Sequence, residues 1–312
     1  MRRGLALTLC LSLVAALAPG VAQARCEGFV PGQRPQNTTT QDMGTTLDDI
    51  IDRGWIEFAV YEDFPPYSWS EGSQPRGIDI GIGKIIAESL GVNPRFRFVQ
   101  AGETLDADLM NYVWKGAVIG GHVSNVMLRV PYNSDFTCRV EQVVFTGQYA
   151  DERVAIAWAR GAYPDADGVA PDSDGRVDGA PVPAFFRFDT VAVENDSIAD
   201  FYLTSLPGGG LADKIRRYPT MAAAMAALRA GEVMAAMGPL TQLQAGADAG
   251  IGVHTPPMPG FAAGRWTLGL AVHTQHRDLG YAVDDAVAAA LADGRIKALY
   301  DEFGASFLPP QR

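Results

Sequence analysis

The sequence predicts an α/β protein built as two lobes, each a sheet flanked by helices, with the chain crossing from one to the other and returning. Three observations carry this expectation. Strand-helix-strand order with short connections recurs along the chain, the pattern of a parallel sheet. A polar segment over residues 161–183 interrupts that order, and the alternation then resumes. The length is 312 residues, of which 288 remain once an export signal is set aside, and this suits about two domains.

The signal comes first because it decides the compartment. Arg2 and Arg3 precede an apolar run from Leu5 to Ala18, Pro19 and Gly20 break it, and Ala22-Gln23-Ala24 supplies small residues. That order describes a secretory signal over residues 1–24, cleaved after Ala24, with the mature protein in the periplasm. The apolar run is shorter than the ~20 residues of a spanning helix, so no membrane insertion is expected after cleavage. Cleavage removes two arginines and no acids, leaving 23 basic residues against 36 acidic ones, a net charge of −13. Such a chain repels nucleic acid and anionic lipid and favours a basic partner surface. Cys10 leaves with the signal. Cys26 and Cys138 remain, an even pair in an oxidising compartment, and a disulfide between them is expected to tie the N-terminal arm to the first lobe. Two free thiols are the alternative.

Each element then has its own signal. Residues 25–44 lack a hydrophobic period and read as an extended arm. Thr46 is placed to cap a short helix, with Leu47, Ile50 and Ile51 on one face and Gly54 as its end. Ile56 to Val60 alternates like a half-buried strand. Tyr61 to Trp69 is a loop whose two prolines fix the backbone among four aromatics. A helix follows with Ile82, Ile85, Ile86 and Leu90 inward and Gly91 as its stop, and Arg95 to Gln100 returns as a strand. Leu105 to Val118 reads as helix, Val126 to Val130 as strand, and Val140 to Trp158 as two strand-like runs around Tyr149.

Residues 161–183 hold five aspartates and four prolines and read as an acidic surface flap. Beyond it, Thr190 to Val193 is a strand and Asp196-Ser197 starts a helix through Leu203. A second helix over Thr220 to Ala230 turns Met221, Met225 and Leu228 inward and ends at Gly231. Val233 to Met237 is a strand, Leu240 to Ala245 a helix, Trp266 to Val272 a strand, and Leu279 to Phe303 one long helical stretch. The expected lobes are 45–150 with 262–312, and 151–261. Two such lobes are an architecture for holding a ligand in a cleft.

The segment Ile56 to Gly91, with F-P-P-Y-S-W, G-I-D-I and a helix ending S-L-G, resembles the first lobe of type II periplasmic solute-binding proteins of the amino-acid-binding branch. V-E-Q-V-V-F-T-G-Q-Y (140–149), A-A-L-R-A-G-E-V-M-A-A-M-G (226–238) and Arg265 to Gly304 resemble later parts of that fold. The resemblance covers nearly the whole mature chain. A narrower one rests on D-L-M-N-Y-V-W-K-G-A-V-I-G-G-H-V-S-N-V-M-L-R-V-P (108–131), which is similar to the MoxJ/MxaJ/XoxJ group of periplasmic proteins. His122 and Asn125 depart from that group's pattern. This resemblance implies assistance in assembling or activating PQQ-dependent methanol dehydrogenase, or in handling its cofactor. The alternative is a transport receptor for a small solute other than a free α-amino acid.

The resemblance also implies where a ligand would be gripped. Arg139 falls where the amino-acid binders place the arginine for the ligand carboxylate, and a surface arginine with a local partner is the other reading. In the second lobe their anion-binding turn is matched by Asp196-Ser197, where an aspartate would cap the helix itself and repel a carboxylate. Their acidic anchor for the amino group falls near Pro239, which has no charge. Phe64, Tyr67 and Trp69 are placed either to stack on a flat ligand or to cover the sheet. Trp114 reads as core.

A calcium site on Asp165, Asp167, Asp172, Asp174 and Asp178 lacks the EF-hand spacing, and a solvated acidic loop is preferred. The four histidines form no metal pair at helical spacing, and His273 and His276 are expected to be solvated at a turn. With no G-x-S-x-G or H-E-x-x-H motif, neither an enzyme nor a metal or other cofactor is expected.

Overall fold

A computed structural model describes residues 43–118, 121–132, 138, 140–207 and 211–310. The predicted signal, and the arm apart from Met43 and Gly44, lie outside the described residues. In chain order the elements run α1 (Leu47–Arg53), β1 (Trp55–Tyr61), a β2–β3 hairpin (Trp69–Glu71, Gln74–Arg76), α2 (Ile78–Ser89), β4 (Asn93–Val99), α3 (Leu105–Leu109) continued by a π turn (Met110–Trp114), β5 (Val126–Tyr132) and β6 (Val143–Ala159). After the acidic segment come β7 (Val191–Glu194), α4 (Ile198–Ser205), β8 (Ile215–Tyr218), α5 (Met221–Arg229), β9 (Ala235–Pro239), α6 (Leu240–Ala245), β10 (Ile251–His254), β11 (Arg265–His273), α7 (Arg277–Ala292) and α8 (Arg295–Glu302).

Helix ends follow local chemistry. The Thr46 hydroxyl accepts from the Asp49 N–H and Gly54 closes α1 at φ 74°. Thr220 caps α5 through the Ala223 N–H, and Gly231 follows at φ 73°. The expected long C-terminal helix is two, because Gly294 at φ 83° breaks it into α7 and α8. The expected helix over 105–118 stops at Trp114, where the Lys115 N–H reaches the Met110 carbonyl five residues back. That register is a π turn, not a continuing α-helix.

The strands lie in the order β4-β1-β5-β11-β6-β9-β7-β8, with β10 added to β6. Pairing is parallel from β4 to β5 and from β9 to β8, and antiparallel where β11 and β6 run through the middle. Phe58, Ala59 and Val60 are all buried, so β1 is not the half-buried strand its alternation predicts. It lies between two parallel neighbours with both faces covered. β6 is one strand of 17 residues where two runs are expected. Its first half packs Tyr149 into one core with Phe58, Ile82, Ile86 and Val287, and its second half packs Ile156 and Trp158 into another with Val191, Val193 and Phe186. Met221, Met225, Leu228 and Leu243 fill the opposite face of the sheet where β6, β7, β9 and β10 lie, packing with Ala157, Ala192, Ala236 and Ile251. Each such side chain contributes roughly 1.5–3 kcal/mol by leaving water. The expected α/β fold in two lobes is met.

The acidic segment differs from a solvated flap. Tyr163, Ala166, Val177 and Ala180 enter the second lobe's core, and the Tyr163 hydroxyl donates to Asp189 at 2.7 Å. A few apolar residues at turn positions suffice to dock a polar loop.

Candidate functional site: the cleft between the lobes

The first wall is the loop after β1. The Phe64 N–H bonds to the Ser68 carbonyl (2.8 Å) and the Tyr67 N–H to the Phe64 carbonyl (2.9 Å). The start of α2 is stitched beneath it, Ile78 N–H to Pro66 O (3.0 Å) and Asp79 N–H to Tyr67 O (2.9 Å). Only glycine fits at Gly77, with φ 128° and a virtual Cβ 2.1 Å from the Tyr67 carbonyl oxygen. So fixed, Phe64 and Tyr67 stack with centroids 5.8 Å apart.

The second wall is β5, which is irregular at one place. Val130 opposes Gly269 and Met127 opposes Ala271, so Leu128 and Arg129 together face the single residue Leu270. Arg129 takes φ 60° at this bulge. A bulge re-aims a side chain, and the left-handed backbone costs about 1–2 kcal/mol for a residue with a Cβ. The side chain is carried onto the aromatic pair, its guanidinium carbon 3.1 Å from the Tyr67 ring centroid and 4.6 Å from that of Phe64. Arg129 is only 7% exposed. Burial opposes its charge, but the phenol of Tyr67, the carboxylate of Asp79 and the phenol of Tyr149 outweigh it and raise its pKa. Glu194 of the second lobe also feels this charge.

The floor comes from β6 and from helices on both sides. Tyr67 donates a hydrogen bond to Glu152, which is buried at the crossing between the lobes. Tyr149 donates to Asp79 at 3.2 Å. Burial pushes the Asp79 carboxyl up to about 6, against the pull of Arg129 and of that hydrogen bond. Arg129 Nη1, Asp79 Oδ2, Gln242 Oε1 and the Tyr300 hydroxyl are buried with no hydrogen-bond partner among the described residues. Two contacts close the cleft from the second lobe, Thr241 to the Tyr67 side chain and Gln242 Nε2 to the Pro65 carbonyl at 3.4 Å. Beside it Asp151 accepts from Arg265 (2.7 Å) and Thr267 (2.7 Å), tying the two crossing strands together.

The structure brings two of the six predicted cleft residues, Phe64 and Tyr67, into this cluster. Trp69 lies at the rim, edge-on to Phe303 at 5.6 Å, along a groove of about 400 Å³ that also touches Met225 and Gln242. Asp196 and Ser197 stand before α4, and here the expectation needs correcting. The cap is Ser197, whose Oγ accepts from the Asp200 N–H at 3.2 Å. Asp196 is exposed at φ 56°, a backbone that turns it out of the capping position, and its own N–H donates to Asp200 at 3.3 Å. Arg139 and Cys26 lie outside the described residues, and Cys138 is half-buried. Trp114 is half-buried against Leu109 and Val113.

His273 and His276 are not solvated but 8% and 6% exposed. The His273 Nδ1 accepts from the Gln275 N–H at 3.0 Å and His276 Nε2 pairs with the Met43 carbonyl at 3.0 Å, so turn backbone and the start of the described chain cover them. Three or more His, Cys, Asp or Glu side chains placed to hold a metal occur nowhere among the described residues. Within the acidic segment, Asp172 accepts from the Asp174 and Arg176 N–H groups, and Asp167 and Asp178 pair with arginines. No described helix is long and apolar enough to cross a membrane.

Sequence reasoning missed Arg129, Asp79 and Glu152. The signal was present in each case as a charge inside an apolar run: V-M-L-R-V-P, G-I-D-I-G-I, and the D-E-R triplet (151–153) in the middle of β6. Ionisable groups almost never enter a core without a partner or a task.

No family model matches the chain, and no curated protein matches it in sequence. Solved structures do match its shape. An ancestral cationic amino-acid solute-binding protein aligns over 83% of this chain and 100% of its own, at 19% identity and TM-score 0.65. An amino-acid ABC transporter substrate-binding protein from Streptococcus pneumoniae, bound to L-arginine, aligns over 85% and 99% at 15% identity and TM-score 0.57. The solute receptor for L-cysteine of Neisseria gonorrhoeae aligns over 83% and 93% at 20% identity and TM-score 0.54. With two α/β lobes, two crossing strands and a cleft walled by both, the chain has the fold of type II periplasmic solute-binding proteins.

Proposed function

We propose that this is a periplasmic solute-binding-like protein that takes no free α-amino acid and serves PQQ-dependent methanol dehydrogenase as an accessory in its assembly, activation or cofactor handling. Its lobes are residues 45–150 with 262–312, and 151–261, and Cys26 pairs with Cys138. The observation that carries the reading is the state of the cleft: the aromatic platform of Phe64 and Tyr67 bears the chain's own guanidinium. The fold neighbours include proteins described as bound to L-arginine or as a receptor for L-cysteine. In the second lobe, Ser197 is engaged by the Asp200 N–H beside an exposed Asp196, an unfavourable seat for a carboxylate.

Arg129 belongs to V-M-L-R-V-P, within the segment that carries the resemblance to methanol-oxidation proteins. The side chain that occupies the cleft platform thus lies inside the stretch on which that resemblance rests. The acidic chain would be drawn to a basic partner by long-range attraction, and the association would weaken with salt. The test is capture of the dehydrogenase from a methylotroph periplasm on immobilised mature protein at low salt. Recovery that falls with rising salt is expected, and none at low salt would refute the accessory role.

The second reading is a transport receptor for a small solute other than a free α-amino acid. The rim groove along Trp69, Phe303 and Gln242 favours it. It predicts a saturable thermal shift with one solute and no dependence on the dehydrogenase.

A further inference from the structure

We propose that Arg129 is the cleft's resident ligand: its guanidinium fills, in cis, a site suited to a guanidinium-type cation and holds the lobes together with no solute bound. The proposal rests on the two-lobed binding-protein reading and specifies what occupies that site.

The surroundings select a cation. Two aromatic faces lie 3.1 and 4.6 Å from the guanidinium carbon, the arrangement in which ring quadrupoles attract a positive charge. Asp79 from α2 and Glu194 from the second lobe act on this charge, and Glu152 holds the phenol beneath it. With the carboxylates of Asp79 and Glu194 both acting on one guanidinium, an anionic ligand is disfavoured. The backbone also yields to deliver this side chain, since Arg129 occupies the bulge position at φ 60°. Ordinary strand geometry would send it elsewhere.

The occupied site is coupled to closure. Tyr67, directly under the guanidinium, is the residue that reaches Glu152 at the crossing and Thr241 across the cleft. Its loop supplies the Pro65 carbonyl that accepts from Gln242. In binding proteins that close by hinge motion an external ligand bridges the lobes. Here a tethered group stands in that place. A tether gives an effective concentration of order millimolar or more, so a free guanidinium compound competes poorly.

The experiment uses the mature full-length chain, wild type and Arg129→Gly, the latter accepting the φ 60° backbone without strain. Solution scattering measures closure, and calorimetry with thermal unfolding measures binding of methylguanidinium, with L-arginine as a second probe. The wild type is expected to be closed without solute and unmoved by either probe. The glycine variant is expected to have a larger radius of gyration, to bind methylguanidinium at least about tenfold more tightly than wild type, and to regain the closed radius with a saturating rise in unfolding temperature. An open wild-type protein, or a folded glycine variant that stays closed and ignores methylguanidinium, overturns the proposal. Should the glycine variant fail to fold, the wild-type scattering decides alone. An open wild-type cleft that takes no amino acid sinks only the Arg129 assignment, whereas saturable uptake of L-arginine by the wild type sinks the amino-acid-free reading as well.

Discussion

Each lobe places an aspartate in the first turn of a helix, and the two experience opposite environments. In the first lobe Asp79 starts α2 with no exposure at all, one hydrogen bond from Tyr149, and an arginine that acts on it without a direct ion pair. In the second lobe Asp200 starts α4 and takes two bonds from Arg217 at 2.7 and 2.8 Å, one from Thr204 and one from the Asp196 N–H. Burial raises the Asp79 carboxyl to about 6. Burial also acts on Asp200, but the bonds and charge of Arg217 outweigh it and hold the group below the usual carboxylate range. The difference lies in the arginines. Arg217 keeps 40% of its side chain in water, so it supplies charge at little desolvation cost, whereas Arg129 is itself buried and must be neutralised in turn. The second-lobe turn is satisfied by itself; the first-lobe cluster is a set of mutually dependent buried charges.

Breaking the buried set should have the largest consequence. Arg129→Met leaves Asp79 and Glu194 without their cation and should cost about 3–5 kcal/mol in urea unfolding at pH 7. A loss below about 1 kcal/mol would show the cluster is not held by that charge.

Next is the pH response of Asp79. Its folded-state pKa lies above the unfolded value, so its contribution is complete below the unfolded pKa and is lost as pH rises from about 4 through about 6. The loss across that window is on the order of 3 kcal/mol, and Asp79→Asn should flatten it. Parallel stability profiles for the two proteins would contradict the assignment.

Asp200 should behave with the opposite sign. Its depressed pKa contributes stability above the unfolded value and loses it as pH falls through the folded one, so Asp200→Ala should remove part of the acid-side decline. At pH 7 the same change should cost about 1.5–3 kcal/mol in urea unfolding, since the lost bonds involve charged groups. The smallest expected effect is Ser197→Ala, about 1 kcal/mol for one helix cap, with no change in the pH profile between 4 and 6.

The sequence was legible where the physics is local. Thr46, Gly54, Thr220 and Gly231 mark their helix ends as expected, because a hydroxyl acceptor or a left-handed glycine acts within four residues. Phe64 and Tyr67 were legible as a platform or a cover, with the prolines to fix them. The single long β6 was not, since polar Asp151-Glu152-Arg153 looks like a break until β11 and the Tyr67 loop supply their partners. His273 and His276 read as solvated because their covering groups are backbone.

Order, composition and spacing alone thus determined two α/β lobes and the ends of many of their elements. Which charged group sits in the cleft was decided only by tertiary structure. The bulge that turns Arg129 onto Tyr67 exists only where β5 meets β11, the carboxylates that act on its charge come from α2 and β7, and the one that holds the Tyr67 phenol comes from β6. Hydrophobic periodicity records which face of an element is buried; it carries no record of which distant charges meet there.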